Sequence, residues 1–339
     1  MRDAYFDKIK GISILAVIVI HAVPKMGGSS AGTFLPPEVI VRMPTFFAVF
    51  LFLALSGYFV GQSARAGKTF RLQPRLVRIL IPYLIATIIT VPVMRPELAT
   101  SAGGLARAFL AGRGIGIGYY IIVLLQFCLL TPLLLRLRSP GAHAAVMAVG
   151  TLAGVLWTYG TAFNLPDSVL NEFPYTALPF WVWYPSYHLG LLLGQRPAPK
   201  TSARGILGLA VVLSLLLCYL EAYWLQGIGF EGMANSQLKA SSLLYAVMVT
   251  LFVLLARGGD GLLKGEGGLL ARLGEVSFFI YLYHLPLVFI FRGVLRKATG
   301  SDWLAIILAI PLAALVLLVL SMVIRRIIGT RAAAKYFGA

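Results

Sequence analysis

The stretch YFDKIKGISILAVIVIHAV, residues 5–23, decides the fold of this chain. Three charged side chains stand near its start, and every position from there to His21 is apolar or small. Apolar runs of about 20 residues recur from end to end, and that length matches the hydrocarbon core of a bilayer. Apolar residues make up 59% of the chain and charged residues only 12%, whereas soluble proteins carry about 25% charged residues. We therefore predict an all-α, polytopic membrane protein.

The apolar runs predict a bundle of about ten transmembrane helices. They cover residues 9–24, 43–62, 77–94, 114–135, 141–160, 176–195, 205–225, 237–256, 273–292 and 303–324. No segment between them is long enough to form a soluble domain. We therefore predict a single membrane-embedded domain over residues 1–339.

The basic residues predict the orientation of these helices. With the N-terminus inside, 20 of the 29 Lys and Arg residues fall on cytoplasmic segments, and this bias places both termini in the cytoplasm. The net charge of +17 is then explained by anionic lipid headgroups, so we expect membrane lipid and no nucleic acid as a partner. A polyanionic ligand on the basic side stays open.

Metal, disulfide and dinucleotide sites are not expected. The two cysteines, Cys128 and Cys218, lie inside apolar runs without metal-ligand spacing, so we predict small core residues. The stretch GRGIGIG, residues 112–118, does not follow a strand, so it more plainly bends the chain into the fourth span than binds a dinucleotide. The first apolar run contains a histidine and lacks a small-residue cleavage site, which predicts a retained helix.

The first span holds the strongest candidate site, because ionisable groups inside a membrane are costly. Lys10 and His21 are eleven residues apart, which is 20° beyond three helical turns, so they share one face with a rise of about 16.5 Å. A long ligand with an anionic head can rest near Lys10 and present its other end to His21, a side chain suited to proton transfer. Asp7, one turn before Lys10, can hold the ammonium. Alternatively, Lys10 is a snorkelling anchor and His21 bonds a neighbouring helix.

Arg75 and Arg78 form the second candidate. They are three residues apart on one face of the third span, and guanidinium groups bind phosphate in a bidentate manner. The positive-inside bias alone also explains these charges.

Two aromatic segments supply further candidates. The ninth span carries Tyr283 and His284 before Pro286, and a kinked helix with these side chains can line a polar cavity; a core role for His284 is equally compatible. In the sixth span Trp181, with Trp183 and Tyr184 beside it, is typical of an interfacial belt, and equally of a surface that stacks on sugar rings. His188 is predicted to pack in the core and His143 to lie at the surface.

These motifs, in this order, resemble the acyltransferase family 3 membrane proteins. The similar segments are YFDKIKGISILAVIVIH (residues 5–21), FLFLALSGYFVG (50–61), RLVRILIPYL (75–84), GYYIIVLLQFCLLTPLL (118–134), YHLGLLLG (187–194) and LGEVSFFIYLYHLPLV (273–288). Lys10 stands where many members have Arg. The RMP of residues 42–44 departs from the family, because it lies further upstream of the Ser-Gly motif than the His-Met-Pro run of some members and lacks the histidine.

The resemblance implies an O-acyltransferase of a bacterial inner membrane. Its donor would be cytoplasmic acyl-CoA, with acetyl-CoA as the expected co-substrate and no metal. Its acceptor would be a carbohydrate hydroxyl, on a polysaccharide or a lipid-linked sugar, at the outer face. It implies His21 and Lys10 as the catalytic pair and Lys10, Arg75 and Arg78 on the phosphates of CoA. Residues expected at the acceptor or the oxyanion are Tyr58, Tyr283, His284 and Trp181.

Two other functions are compatible with the residues. Intramembrane His, Pro and Gly also suit a proton-coupled exporter of a glycan or lipid, although no internal repeat is visible. The third possibility is a structural subunit of a glycan-synthesis complex, in which the histidines are inert. Acyl-CoA-dependent product formation that requires His21 separates the enzyme from both.

Overall fold

The computed structural model describes residues 3–24, 35–197, 203–255 and 267–339, and these residues form α- and 3₁₀-helices only. Five cations of the orientation count, Arg2, Lys25, Lys200, Arg257 and Lys264, lie outside the described residues. The α-helices are α1 Ala4–Ala22, α2 Pro37–Arg42, α3 Phe47–Arg65, α4 Leu72–Met94, α5 Pro96–Ala99, α6 Ala102–Leu110, α7 Tyr119–Leu134, α8 Pro140–Asn164, α9 Tyr184–Gln195, α10 Arg204–Gly227, α11 Glu231–Ala234, α12 Ala240–Leu255, α13 Leu269–Glu275, α14 Ser277–Thr299, α15 Asp302–Ile328 and α16 Thr330–Tyr336.

Six helical segments among the described residues are long and apolar enough to cross a membrane: residues 37–65, 72–94, 140–164, 204–227, 277–299 and 302–328. Two shorter apolar helices, α7 and α12, have 16 residues each, a rise of about 24 Å. The chain is thus an all-α, multi-pass membrane protein. The count of ten spans and the placement of both termini stay predictions.

The sixth and ninth predicted spans differ from the structure at their starts. In the sixth, residues 175–177 and 180–183 form 3₁₀ turns around Pro179, and only α9, with 12 residues, is α-helical. Proline lacks the N–H that a continuous helix needs, which explains the broken start. In the ninth, the helix is interrupted at Val276, between the end of α13 and the start of α14.

The chain divides into two compact units. The first contains Met1–Pro24, Gln73–Leu125 and Asp260–Ala339. Its α1 packs on α13 with backbone against backbone: a Cβ added at Gly11 would overlap the carbonyl of Leu270, and one added at Gly274 would overlap that of Asp7. This contact fixes the N-terminal half of α1, because only glycine lets two helix backbones approach so closely.

The second unit contains Lys25–Leu72 and Gln126–Gly259. Its central contact joins α3 and α9 through two Gly-xxx-Gly pairs, Gly57 with Gly61 and Gly190 with Gly194. A Cβ at any of the four positions would overlap a carbonyl oxygen of the facing helix. Small residues four apart let membrane helices pack at such short range, and here both helices use them.

The glycine-rich stretch bends the chain into α7, which confirms that prediction. Gly112 and Gly116 have positive φ angles of 68° and 73°, a conformation that favours glycine. The hydroxyl of Thr90 in α4 donates to the carbonyl of Gly114 at 3.1 Å. The stretch is therefore a packed connection within the first unit.

Candidate functional site

Lys10 lies in the second turn of α1 and forms the expected ion pair with Asp7. Its Nζ is 2.6 Å from Oδ1 of Asp7, and the Lys10 side chain keeps 23% exposure while that of Asp7 keeps 6%. Asp3 begins the helix by accepting the N–H of Tyr5. The carboxylate of Asp7 thus holds the ammonium at a partly exposed position near the start of α1.

His21 lies at the other end of the same uninterrupted helix, one residue before Ala22. Its ring centroid is 5.4 Å from that of His284 in α14, with an angle of 44° between the ring planes. Both histidines belong to the first unit. The structure therefore brings together two of the predicted site residues that are 263 positions apart in the sequence.

Hydrogen bonds of His284 define its tautomer. Nδ1 lies 3.0 Å from the carbonyl oxygens of both Ile280 and Tyr281, and these oxygens only accept. Nδ1 therefore carries the proton and Nε2 is left as an acceptor. The residue is fully buried, and Nε2 has no hydrogen-bond partner among the described residues. A buried acceptor without a partner is costly, so this atom is a candidate contact for a substrate hydroxyl.

The helix that carries His284 is anchored to the start of α7 through Tyr281. The hydroxyl of Tyr281 donates to the carbonyl of Ile117, in the glycine-rich stretch, and its ring lies 5.0 Å from that of Tyr120. Tyr281 also lies 6.2 Å from the imidazole of His284, centroid to centroid. The position of the imidazole is thus set by an aromatic neighbour that is itself hydrogen-bonded to the backbone.

Tyr283 and Pro286 flank His284 within α14. The hydroxyl of Tyr283 is buried and has no hydrogen-bond partner among the described residues, and its ring packs against Phe279 at 4.9 Å. Pro286 stands inside the helix, so the carbonyl of Leu282 lacks its usual N–H donor. Among the described residues, this part of α14 therefore presents a buried hydroxyl and a buried imidazole nitrogen that both lack a hydrogen-bond partner.

Arg75 and Arg78 lie in the first two turns of α4, in the same unit as Lys10. Arg75 is half-buried and Arg78 is exposed. Their spacing of three residues places them on one face of the helix. Their role on phosphate stays a prediction.

Tyr58 and Trp181 belong to the second unit. Tyr58 is 4% exposed and its hydroxyl accepts a hydrogen bond from Nε2 of Gln62 at 3.1 Å. Trp181 is half-buried and meets Trp157 edge-on at 5.9 Å between ring centroids.

The interfacial-belt interpretation is wrong for Trp183, which is completely buried. Its Nε1 donates to the carbonyl of Ala177 at 2.7 Å, and its ring lies 4.6 Å from that of Phe50. The tryptophan ties the 3₁₀ segment to α3, because its indole N–H finds a backbone acceptor inside the protein.

The prediction of a surface position for His143 is also wrong. His143 is 5% exposed, and its Nδ1 lies 2.8 Å from Nε2 of His188, which is completely buried. The other nitrogen of His143 lies 3.2 Å from the carbonyl of Leu137. This pair is not visible in the sequence, because its members lie on different helices, 45 positions apart, and no periodicity joins them. Cys128 and Cys218 are buried, as predicted for core residues.

Comparison with known proteins supplies one match. The family described as "Acyltransferase domain", acyltransferase family 3, matches residues 3–326. No curated protein and no solved structure matches the chain.

Proposed function

Because this chain belongs to acyltransferase family 3, we propose that it moves an acyl group, acetyl in the first instance, from cytoplasmic acyl-CoA to a carbohydrate hydroxyl at the outer face of a bacterial inner membrane. The proposal rests above all on α1. A cation held by a carboxylate stands near one end of this helix, and an imidazole stands near the other, facing a second histidine.

Donor binding is assigned to the predicted cytoplasmic end. Lys10, Arg75 and Arg78 bind the phosphates of CoA, with the arginines as bidentate partners. The rise of about 16.5 Å between Lys10 and His21 lets the extended pantetheine arm carry the thioester from the cation to the imidazole. Asp7 keeps Lys10 in place through the ion pair at 2.6 Å.

The transfer step uses His21 as the general base. It takes the proton of the acceptor hydroxyl while the oxygen attacks the thioester carbonyl carbon. The C–S bond then breaks, and the thiolate of CoA receives the proton back from the imidazolium. Tyr283, whose hydroxyl has no hydrogen-bond partner among the described residues, donates to the oxyanion that forms between these events.

Acceptor binding is assigned to His284. Sugars carry adjacent hydroxyl groups, so Nε2 of His284 accepts a hydrogen bond from a neighbouring hydroxyl while His21 takes the reacting proton. Trp181, in the second unit, stays a predicted side chain for stacking on a sugar ring. In this arrangement the sugar supplies the hydrogen-bond partner that Nε2 of His284 lacks among the described residues.

The test is the release of CoA from acetyl-CoA by purified protein in lipid nanodiscs, together with transfer of radiolabelled acetyl to membrane glycans. We expect His21→Ala to lower both rates about 10²–10⁴-fold, the usual contribution of a histidine base. His143→Ala makes the same change at a buried histidine outside the proposed site and should leave the rates within about threefold of wild type, which is under 1 kcal/mol.

Wild-type rates in a well-folded His21→Ala protein would refute the assignment of the base. Glycan flux across proteoliposomes without any dependence on acyl-CoA would instead favour the exporter.

A further inference from the structure

Two cations are buried together in the second unit, and neither has a part in the reaction described above. Arg42, the last residue of α2, is 3% exposed, and Lys239, directly before α12, is completely buried. Both lie over the ring of Phe46, with Cζ of Arg42 at 5.8 Å and Nζ of Lys239 at 5.1 Å from the ring centroid. A single aromatic ring is thus shared by two like charges.

Lys239 is partly satisfied by its neighbours. Its Nζ donates to Oγ of Ser242 at 3.0 Å and approaches the carbonyl of Ser236 at 3.5 Å. Arg42 is not satisfied: Nε and Nη1 are both buried without a hydrogen-bond partner in the described part of the chain. Leaving a charged donor unpaired inside a protein costs more free energy than leaving a neutral donor unpaired. Such a group needs a stabilising partner or a function.

No described carboxylate supplies that partner. Glu221 acts electrostatically on Lys239, but its Oε1 accepts the hydroxyl of Tyr159 and its Oε2 accepts the N–H of Ser241 at 2.9 Å. Glu38 lies one helical turn from Arg42 and forms no ion pair with it among the described residues. Two cations and one carboxylate leave this cluster with a net charge of +1.

We propose that Arg42 and Lys239 form a subsite for a monoanionic oxygen group, a carboxylate or a phosphodiester, carried by the glycan that accepts the acyl group. Nε and Nη1 of Arg42, which have no hydrogen-bond partner among the described residues, are charged donors that suit the anionic oxygens of such a group. The charge of one such group neutralises the cluster. By the predicted orientation both cations belong to the outer side, where the acceptor is expected.

This inference depends on the proposed function for the identity of the glycan, so its test measures binding without turnover. Protein in phosphatidylcholine nanodiscs is titrated with three probes in the absence of acyl-CoA: a glucuronate-containing tetrasaccharide, a glycerophosphoryl glucose and maltotetraose. We expect at least one anionic probe to bind and raise the melting temperature, while neutral maltotetraose binds much more weakly.

Arg42→Gln should weaken binding of the anionic probe about 30-fold or more, the usual effect of removing one partner of a buried charge pair. Arg42→Lys, which keeps the charge but loses the planar donor group, should give an intermediate loss. Arg95→Gln removes the same charge from an exposed arginine beside Glu97 and should change nothing. Without ligand, Arg42→Gln should melt no lower than wild type, since it removes an unpaired buried charge; a purely structural arginine would give a clear drop.

Equal binding of the neutral and anionic probes overturns the subsite. A melting-temperature rise seen only with phosphatidylglycerol in the nanodisc, and lost in Arg42→Gln, overturns its assignment to the acceptor and indicates a lipid headgroup. Release of CoA by the same preparations is measured separately. If the acyltransferase proposal is wrong, no CoA is released, but the binding of the probes still tests the role of Arg42.

Discussion

Adding one methyl group at Gly194 tests whether direct backbone contact between α3 and α9 holds the second unit together. In Gly194→Ala the new Cβ would lie 2.9 Å from the carbonyl carbon of Tyr58 and 3.0 Å from the nitrogen of Gln62, and it would overlap the oxygen of Tyr58. Carbon atoms normally approach to about 3.5–4.0 Å. The two helices must therefore separate by roughly 0.5–1 Å. The other three glycines of this contact then also lose their close packing against the facing backbone.

The magnitude follows from two opposing effects. Overpacking costs about 1–3 kcal/mol, whereas replacing helical glycine with alanine returns up to ~1 kcal/mol of helix propensity. The matched control is Gly293→Ala in the middle of α14, where an added Cβ meets nothing within 4 Å, so only the gain applies. We expect Gly194→Ala to lie about 1–3 kcal/mol below Gly293→Ala in stability.

The assay is thermal unfolding of both variants and wild type in the same nanodiscs, followed by intrinsic tryptophan fluorescence. Gly194→Ala should melt a few degrees below Gly293→Ala, and limited proteolysis should cleave its second unit faster. If Gly194→Ala melts as high as Gly293→Ala, the two helices do not touch through their backbones, and the packing argument fails.

Further predictions concern three side chains. Lys10→Gln should raise the KM for acetyl-CoA about tenfold, the lower end of a charge-assisted hydrogen bond, and leave that for S-acetylpantetheine unchanged; an equal rise for both donors contradicts phosphate binding by Lys10. His284→Phe should lower kcat about tenfold through loss of one hydrogen bond to the acceptor without changing the KM for acetyl-CoA, and steady-state kinetics with both substrates checks this. Trp183→Phe should cost about 1–3 kcal/mol because the carbonyl of Ala177 is left unpaired; an unchanged melting curve speaks against that bond.

Helix identity and the internal geometry of α1 are predictable from the sequence because both are local. Apolar length selects the spanning helices, and the helical period places Lys10 and His21 on one stripe and Asp7 one turn from Lys10. The ion pair at 2.6 Å confirms the local part of that argument. Contacts between side chains on neighbouring turns of one helix can therefore be predicted from the residue spacing.

Contacts between distant helices are not predictable in this way. Three such contacts join residues that no helical period connects: His21 with His284, His143 with His188, and Arg42 with Lys239. Taken alone, each of these residues fits an ordinary packing or anchoring role. Lys239 before an apolar helix has the pattern of an interfacial anchor, yet it is buried. One missed feature did have a signal: the two Gly-xxx-Gly pairs of α3 and α9 stand in the sequence as a known packing motif.

The two carbonyl oxygens that share Nδ1 of His284 restrict the route of the proton during acyl transfer. An imidazole relays a proton only when it accepts one proton at one nitrogen and releases another from the second nitrogen. In His284 the proton on Nδ1 is held by two backbone carbonyl oxygens. His284 can therefore accept a hydrogen bond at Nε2, but it cannot relay a proton from one ring nitrogen to the other. In the proposed reaction the proton of the sugar hydroxyl would therefore pass through His21 to the departing sulfur, and not through His284.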